Sequence, residues 1–307
     1  MKKLLLFASA IFFATSMYAQ NDVVPCHEAE IRNAFLENAT PKELEDYHDS
    51  KQELEQFTQQ FIQDHPELLQ NDDNSRAISY TIPIVFHVVH ANGIENISDE
   101  QIYDAVEILN RDFQLQNSDA NNVQPTFQGM PADIEIEFIL ARKDINGNCV
   151  KGITRTYSTT TFSGGGGFGA GNDQSDAVYN AQGDWPGDMY LNVFVVADAG
   201  GAAGYTRKPY WGGNGMSNGI WILHNYVGSI GTGLPSRSRS LTHEVGHWLN
   251  LDHLWGGSNN PDCDGTMSGA PCNGADNCNQ DDGVNDTPNT IGWTSCNLSG
   301  TTCDGNL

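Results

Sequence analysis

One short run in the last quarter of this chain restricts its fold and chemistry more than any other feature. Residues 241–249 read LTHEVGHWL and contain the pattern His-Glu-x-x-His at His243, Glu244 and His247. On a helix, positions i and i+4 lie on one face about a turn apart, so both imidazoles can reach one metal ion with Glu244 beside it. Zinc suits imidazole ligands and keeps a position open for water when only three protein groups bind it. The run predicts a zinc-binding helix on which Glu244 is the base that activates water.

The motif continues to a third candidate ligand, His253, with Asn250 midway between it and His247. For His253 to reach the same ion, the helix must end and the chain must turn sharply. Such a turn requires a residue that tolerates positive φ, for which Gly is best suited and Asn is second. A helix that carries His-Glu-x-x-His by chance would need neither feature. We therefore predict His243, His247 and His253 as ligands of one catalytic Zn²⁺.

The first residues predict export. Lys2 and Lys3 precede an apolar run over residues 4–14 and the small-residue end Met17-Tyr18-Ala19, which is typical of a secretory signal cleaved after Ala19. The run is shorter than the ~20 apolar residues of a spanning helix, and no later stretch is apolar enough, so we expect no membrane span. The seven cysteines of an exported chain favour disulfides over reduced thiols.

The charge balance argues against nucleic acid as a partner. Acidic residues outnumber basic ones 39 to 15, which makes a phosphate-binding surface improbable. The acids cluster over residues 262–304, where Gly, Asn and Asp alternate as they do in oxygen-rich cation loops. A solvated polar loop is the alternative interpretation of that stretch.

Composition divides the chain near residue 75. Residues 28–69 are charged and rich in Gln and Glu, with apolar residues at helical spacing, and predict a helical segment with little core. Residues 80–90 (YTIPIVFHVVH) are β-branched and aromatic, as in a buried strand, and Pro83 is typical of a strand start or an edge.

The order of elements after residue 76 predicts an α/β (α+β) domain with a twisted sheet and helices behind it. Ser98 should cap a helix whose first turn holds Asp99 and Glu100. Further strands are predicted at 134–141 and 190–196, with a short edge strand at 220–223. We expect His87, His90 and His224 to be packing or rim residues rather than metal ligands.

At these residues the sequence resembles the pappalysins, a branch of the metzincin zinc peptidases with small secreted bacterial members. The resemblance is carried by HEVGHWLNLDHLWG at 243–256, TIPIVFHVVH at 81–90 and GAAGYTRKPY at 201–210. Asn250 stands where the family usually has Gly. The resemblance implies a metzincin-like zincin with a mixed sheet, a backing helix and an active-site helix over residues 76–307. It also implies an endopeptidase that hydrolyses peptide bonds in protein or peptide substrates.

The run DGVNDTP at 282–288 resembles the calcium-binding loop of the family. The resemblance implies a structural Ca²⁺ with oxygens from Asp281, Asp282, the Val284 carbonyl, Asp286 and Thr287. Since calcium takes six to eight oxygens, further ligands must come from nearby. We also expect a disulfide between Cys278 and Cys303, while the partners of four other cysteines, Cys149, Cys263, Cys272 and Cys296, stay open.

Metzincins carry a methionine turn downstream of the third His, after the calcium loop. Met267 lies before that loop and lacks the flanking Tyr. We therefore expect the catalytic domain to be incomplete at its C-terminus, which also fits the odd number of cysteines.

The family resemblance implies a division into a signal peptide (1–19), a pro-segment (20–75) and a catalytic domain (76–307). In related proteases a pro-segment cysteine or acid fills the fourth zinc position, and Cys26 is the candidate here. An unpaired thiol and a disulfide to Cys149 are the alternatives. We expect maturation between Ser75 and Arg76, in a stretch suited to nicking, and the resemblance implies a preference for Arg after the scissile bond.

Two other functions compete with a latent secreted endopeptidase. One is a zinc- and calcium-binding extracellular adhesion protein without turnover, and the other is a zinc enzyme that acts on a nonpeptide amide. Glu244 argues against the first, because zinc binding alone does not need it. The pro-segment argues against the second.

Overall fold

The computed structural model of the protein describes residues 26, 28–66, 80–164, 172–208, 216, 218–256, 282–284 and 287–292. The helices are α1 (Glu28–Asn38), α2 (Pro41–Asp64), α3 (Asp99–Phe113), α4 (Asp173–Gln182) and α5 (Ser240–Trp248). The strands are β1 (Tyr80–His90), β2 (Ile136–Leu140), β3 (Ile153–Tyr157), β4 (Leu191–Val196), β5 (Gly204–Thr206) and β6 (Ile220–Leu223). Short 3₁₀ turns lie at Pro125–Phe127, Thr159–Phe162, His224–Tyr226 and Pro235–Arg237. Within these ranges no helix combines the length and the apolar character that crossing a bilayer requires.

The described strands form one six-stranded mixed sheet in which β1 pairs with three other strands. β1 pairs in parallel with β2 along its first half, with β3 along its second half, and with β4 on the other side. β6 pairs in parallel with β4 and antiparallel with β5, which ends the order β2-β1-β4-β6-β5. Pro83 precedes Ile84, where pairing with β4 begins, so it lies in the part of β1 that has one neighbour. The α/β fold class is thus confirmed.

The prediction of an edge strand at Ile220–Leu223 was wrong in its position within the sheet. This segment is β6, an interior strand, and the edge strand is β5. The apolar run IWIL is typical of a strand that is covered on both faces, and its first three residues are buried. β5 has only three residues, too few to show a strand pattern.

Apolar layers cover both faces of the sheet, because successive strand side chains point to opposite sides. On one face Phe86 and Val88 pack under α3 and α5, through residues such as Leu109 and Val245. The other face carries a second apolar cluster, which packs against Val178 of α4. Its members include Val85, Val89, Phe194, Tyr205 and Trp221. The zinc-motif helix therefore rests directly on the sheet.

The helical N-terminal segment and the capped third helix were predicted correctly. Ser98 accepts a hydrogen bond from the Gln101 backbone N–H at the start of α3. α1 and α2 enclose only a small cluster around Phe35 and Tyr47. Sequence patterns missed β3 and α4. In α4 the only buried apolar residue is Val178, so the helix shows almost no apolar period.

Candidate metal centre

Helix α5 is anchored at its N-terminal end to α3. The Thr242 hydroxyl donates to Asp112 Oδ2 over 2.8 Å, and Arg239 forms an ion pair with Asp112 at 3.3 Å and another with Asp119. Leu241 and Val245 are buried in the core on the sheet side of the helix. These contacts fix the rotation of α5 about its own axis, and with it the direction in which its histidines point.

The turn after α5 has the conformation that the motif requires. Asn250 has φ of +72°, in the left-handed region. The Leu251 N–H donates to the Gly246 carbonyl over 3.0 Å and the Asn250 N–H to the His247 carbonyl over 2.9 Å. These bonds satisfy carbonyls at the helix end and fold the chain back, which brings His253 alongside the two helical histidines.

The three predicted histidines converge on one point. His243 Nε2 and His253 Nε2 each lie 3.1 Å from His247 Nε2, and they lie 3.2 Å from each other. Three nitrogens bound to a tetrahedral zinc at about 2.0–2.1 Å would be about 3.3 Å apart. The donor set present therefore fits a zinc ion.

Neighbouring groups orient the histidines. The Leu251 carbonyl lies 2.8 Å from His247 Nδ1 and can only accept, so Nδ1 carries the proton and Nε2 keeps its lone pair for a metal. The ring of His253 stacks on Trp255, with centroids 4.6 Å apart. Burial lowers the pKa of His247 to about 4 and that of His253 still further. Both are therefore neutral at pH 7, the form that binds metal ions.

Cys26 joins the same cluster from the N-terminal segment. Its Sγ lies 3.6 Å from His247 Nε2, and the donor atoms of Cys26 and the three histidines all lie within 4.8 Å of one another. A thiolate and an imidazole on one tetrahedral zinc would be separated by about 3.5 Å. The alternative of a disulfide to Cys149 does not hold, since Cys149 is an exposed free thiol.

A charged cluster beside the histidines was not anticipated from the sequence. Asp252, which precedes His253, pairs with Arg32 of α1 at 3.5 Å and with Lys208. Burial opposes ionisation of Asp252, but Lys208 and Arg32 outweigh it, and the pKa of the carboxyl is lowered. No sequence signal links Arg32 to a residue 220 positions away.

Glu244, which follows His243 on α5, is 2% exposed. The Thr206 hydroxyl on β5 lies 2.9 Å from Glu244 Oε2 and 2.8 Å from the Glu244 carbonyl oxygen. Thr206 falls within a run that resembles the family, yet that resemblance does not indicate which of its side chains meets the motif helix.

The other histidines considered are buried and hydrogen-bonded, as expected of packing residues. His87 contacts Thr154 Oγ1 at 2.8 Å and Asn192 Oδ1 at 3.0 Å. His90 Nδ1 accepts from the Asn92 N–H, and His224 Nδ1 lies 3.1 Å from Thr232 Oγ1.

Several predicted residues lie outside the part of the chain that the structure describes: Ser75, Arg76, Cys278, Asp281, Asp286 and Cys303. Of the predicted calcium ligands, Asp282, Val284 and Thr287 are described. The Val284 N–H donates to Asp282 Oδ1 over 2.9 Å. Thr287 Oγ1 is buried and has no hydrogen-bond partner among the described residues.

Comparison with known proteins gives a consistent set of relatives. The model of the M43 peptidase family, described as Pregnancy-associated plasma protein-A, matches residues 172–307. Mature mirolysin of Tannerella forsythia, solved with a cleaved peptide, is 30% identical; the match covers 75% of this chain and 80% of that one, with a TM-score of 0.58. A mutant of promirolysin from the same organism is 26% identical over 92% of this chain and 82% of that one, with a TM-score of 0.63. An extracellular metalloprotease of Colletotrichum graminicola is 26% identical over 236 residues, 71% of this chain and 70% of that protein.

Proposed function

The chain belongs to the pappalysin family of zinc metalloendopeptidases, and from this premise we propose that it is secreted, made as a latent zymogen and matured by proteolysis. The observation that carries the proposal is the convergence of three imidazole Nε2 atoms within 3.1–3.2 Å of one another, together with a buried glutamate that follows His243 on the same helix. Extracellular relatives support export. The substrates are proteins or peptides, and a solved relative holds a cleaved peptide.

In this proposal His243, His247 and His253 hold the zinc ion. Zinc bound in this way acts as a Lewis acid that lowers the pKa of water and polarises a peptide carbonyl. Glu244 accepts the proton of the attacking water and passes it to the amine of the leaving peptide. Its burial places the carboxylate in surroundings of low dielectric.

The zymogen form rests on contacts between the N-terminal segment and the candidate metal centre. With zinc bound, Cys26 would supply a fourth donor and so would occupy the position that the attacking water needs. Arg32 on the following helix pairs with Asp252, next to His253. The match to the pro-form of mirolysin covers more of this chain than the match to the mature form does, 92% against 75%, which supports assigning residues 20–75 as a pro-segment.

Cleavage between Ser75 and Arg76 would detach the segment that carries Cys26 and Arg32 from residues 76–307, and both contacts would then be lost. We propose that the enzyme makes this cut itself, which requires it to accept Arg immediately after the scissile bond. The signal peptide at 1–19 and the catalytic domain from 76 onward complete the proposed organisation.

We also propose a calcium ion at the loop that contains Asp281, Asp282, Val284, Asp286 and Thr287. Thr287 Oγ1 supports this proposal, because it is buried with no hydrogen-bond partner among the described residues, which is costly, and a cation would satisfy it. A disulfide between Cys278 and Cys303 would constrain the same region. Added Ca²⁺ should raise the melting temperature, and an unchanged value would argue for a plain polar loop.

A digestion assay with zinc removal tests the proposed function. The matured protein should digest a denatured protein substrate, lose the activity in chelator and recover it with Zn²⁺. A zinc-binding adhesion protein would bind the metal without digesting the substrate. An enzyme specific for nonpeptide amides would also leave the protein intact.

A further inference from the structure

We propose that Thr206 is a positioning residue that holds the carboxylate of Glu244 against the edge of the sheet. This inference rests on the proposed role of Glu244 as the base. Thr206 is fully buried on β5, and its hydroxyl lies 2.9 Å from Glu244 Oε2 and 2.8 Å from the Glu244 carbonyl. Both partners accept, so the single hydroxyl proton is available to one of them at a time. A hydrogen bond to a charged carboxylate is stronger than one to a neutral carbonyl, which favours the bond to Oε2 when Glu244 is ionised.

A glycine on the same strand makes room for this contact. Gly204 and Thr206 are two residues apart, so both present the same side of β5 to α5. A Cβ added at Gly204 would lie 3.1 Å from the Trp221 carbonyl oxygen, 3.2 Å from Glu244 Cγ and 3.4 Å from Glu244 Oε1. Gly204 therefore lets the Glu244 side chain lie flat on the strand, with Oε2 at Thr206 and Oε1 over Gly204. We call Gly204 and Thr206 the glutamate cradle.

The strand that carries the glutamate cradle is itself held firmly. Tyr205, between the two cradle residues, stacks on Trp221 of β6 with centroids 5.2 Å apart and ring planes at 6°. Asn172, the N-cap residue of α4, donates a hydrogen bond from Nδ2 to the Tyr205 hydroxyl over 2.9 Å. β5 also pairs antiparallel with β6. The position of Glu244 is thus set by the sheet as well as by its own helix.

This arrangement matters for the reaction because a proton-accepting group must be held within about 0.5 Å of its productive position. A long glutamate side chain on a helix has three rotatable bonds, and α5 alone fixes only the first atoms. Thr206 restricts the last bond by holding one oxygen. Removal of the hydroxyl should reduce turnover and leave substrate binding and the imidazole cluster intact.

The test compares Thr206→Val, which keeps the shape and removes the hydroxyl, with Thr206→Ser, which keeps the hydroxyl. In the matured protein, Thr206→Val should lower kcat about 10- to 100-fold with KM changed less than about twofold, and Thr206→Ser should restore most of kcat. Zinc affinity, measured by competition with a chromophoric chelator, should be unchanged in both. Thr154→Val, which removes a hydroxyl beside His87 in the same sheet, is the control and should keep kcat.

Two further measurements keep the proposal falsifiable if Thr206→Val folds poorly. Gly204→Ala should also lower kcat at constant zinc affinity, since its Cβ would press on Glu244 as well as on the Trp221 carbonyl of β6. In thermal melts, Thr206→Val should reduce stability more in the protein with Glu244 than in the Glu244→Ala protein. This thermal coupling is independent of activity, so it separates failure of this inference from failure of the proposed function. Full kcat in Thr206→Val, failure of Thr206→Ser to rescue, or zero coupling in the melts would overturn it.

Discussion

The guanidinium of Arg32 and the carboxylate of Asp252 face each other at 3.5 Å, which ties helix α1 to the residue that precedes His253. Cys26 approaches the histidines from the same N-terminal segment. The two contacts lie six residues apart in sequence, so each restrains the other. An ion pair thus supports the contact between the thiol and the imidazole cluster.

Reversal of the charge at Arg32 should weaken latency. In Arg32→Glu the new carboxylate repels Asp252, and the loss of a partly exposed ion pair should speed release of Cys26 about two- to fivefold. The rate at which an alkylating reagent modifies Cys26 in the zinc-loaded, uncleaved protein measures this release. Lys51→Glu, an equal charge change on α2, is the control. Equal alkylation rates in Arg32→Glu and the wild type would show that the ion pair does not restrain the thiol.

Maturation should begin the mature chain at Arg76. N-terminal sequencing of the matured protein should give Arg76, and the Glu244→Ala protein should remain uncut because self-cleavage needs the base. Matched peptides with Arg or Leu after the scissile bond should be cleaved at clearly different rates, Arg faster. A different mature N-terminus, or equal rates for the two peptides, would refute the corresponding half of this proposal.

The sequence predicted the metal-binding histidines more completely than the residues that hold them and Glu244 in place. His243, His247 and His253 belong to one short motif, and Asn250 indicates the turn between the last two. Their convergence therefore follows from the geometry of a helix and the turn after it. Thr206, Arg32 and Lys208 reach the site from distant segments, and only the folded sheet and α1 bring them there. β5 escaped prediction because three residues are too few to display a period of two. Because the sequence pattern shows no strand beyond β6, it predicts β6 at the edge of the sheet.

Acid should destabilise the fold through His87. Burial lowers the pKa of His87 to about 4, below its ordinary value of 6.5. Between these values the unfolded chain binds the proton and the folded chain does not, so stability is lost as the pH falls from about 6.5 toward 4. The contribution of His87 to this loss at pH 5 should be about 2 kcal/mol. Urea unfolding at pH 7 and pH 5 measures the total loss, and His87→Gln should reduce the total by about that amount. An equal dependence in the two proteins would count against this account.

The turn at Asn250 should set zinc affinity. Its φ of +72° is costly for a residue with an ordinary side chain, by about 1 kcal/mol. In Asn250→Ala the turn should populate less and zinc should bind about fivefold more weakly, whereas Asn250→Gly should bind at least as tightly as the wild type. Chelator competition on the three proteins gives the order. Wild-type affinity in Asn250→Ala would mean that the turn does not control where His253 lies.

The most direct test of the central claim measures zinc content and proteolysis together in Glu244→Ala protein from which added wild-type enzyme has first removed residues 20–75, so that Cys26 no longer reaches the site. The substitution removes the base and leaves the imidazoles of His243, His247 and His253 in place. The account predicts one zinc per chain and proteolysis below a few per cent of the wild-type rate, because water activation is lost. Substantial proteolysis by the zinc-loaded variant would contradict the assignment of Glu244 as the base, and loss of the zinc would contradict the assignment of three histidines as a sufficient metal site.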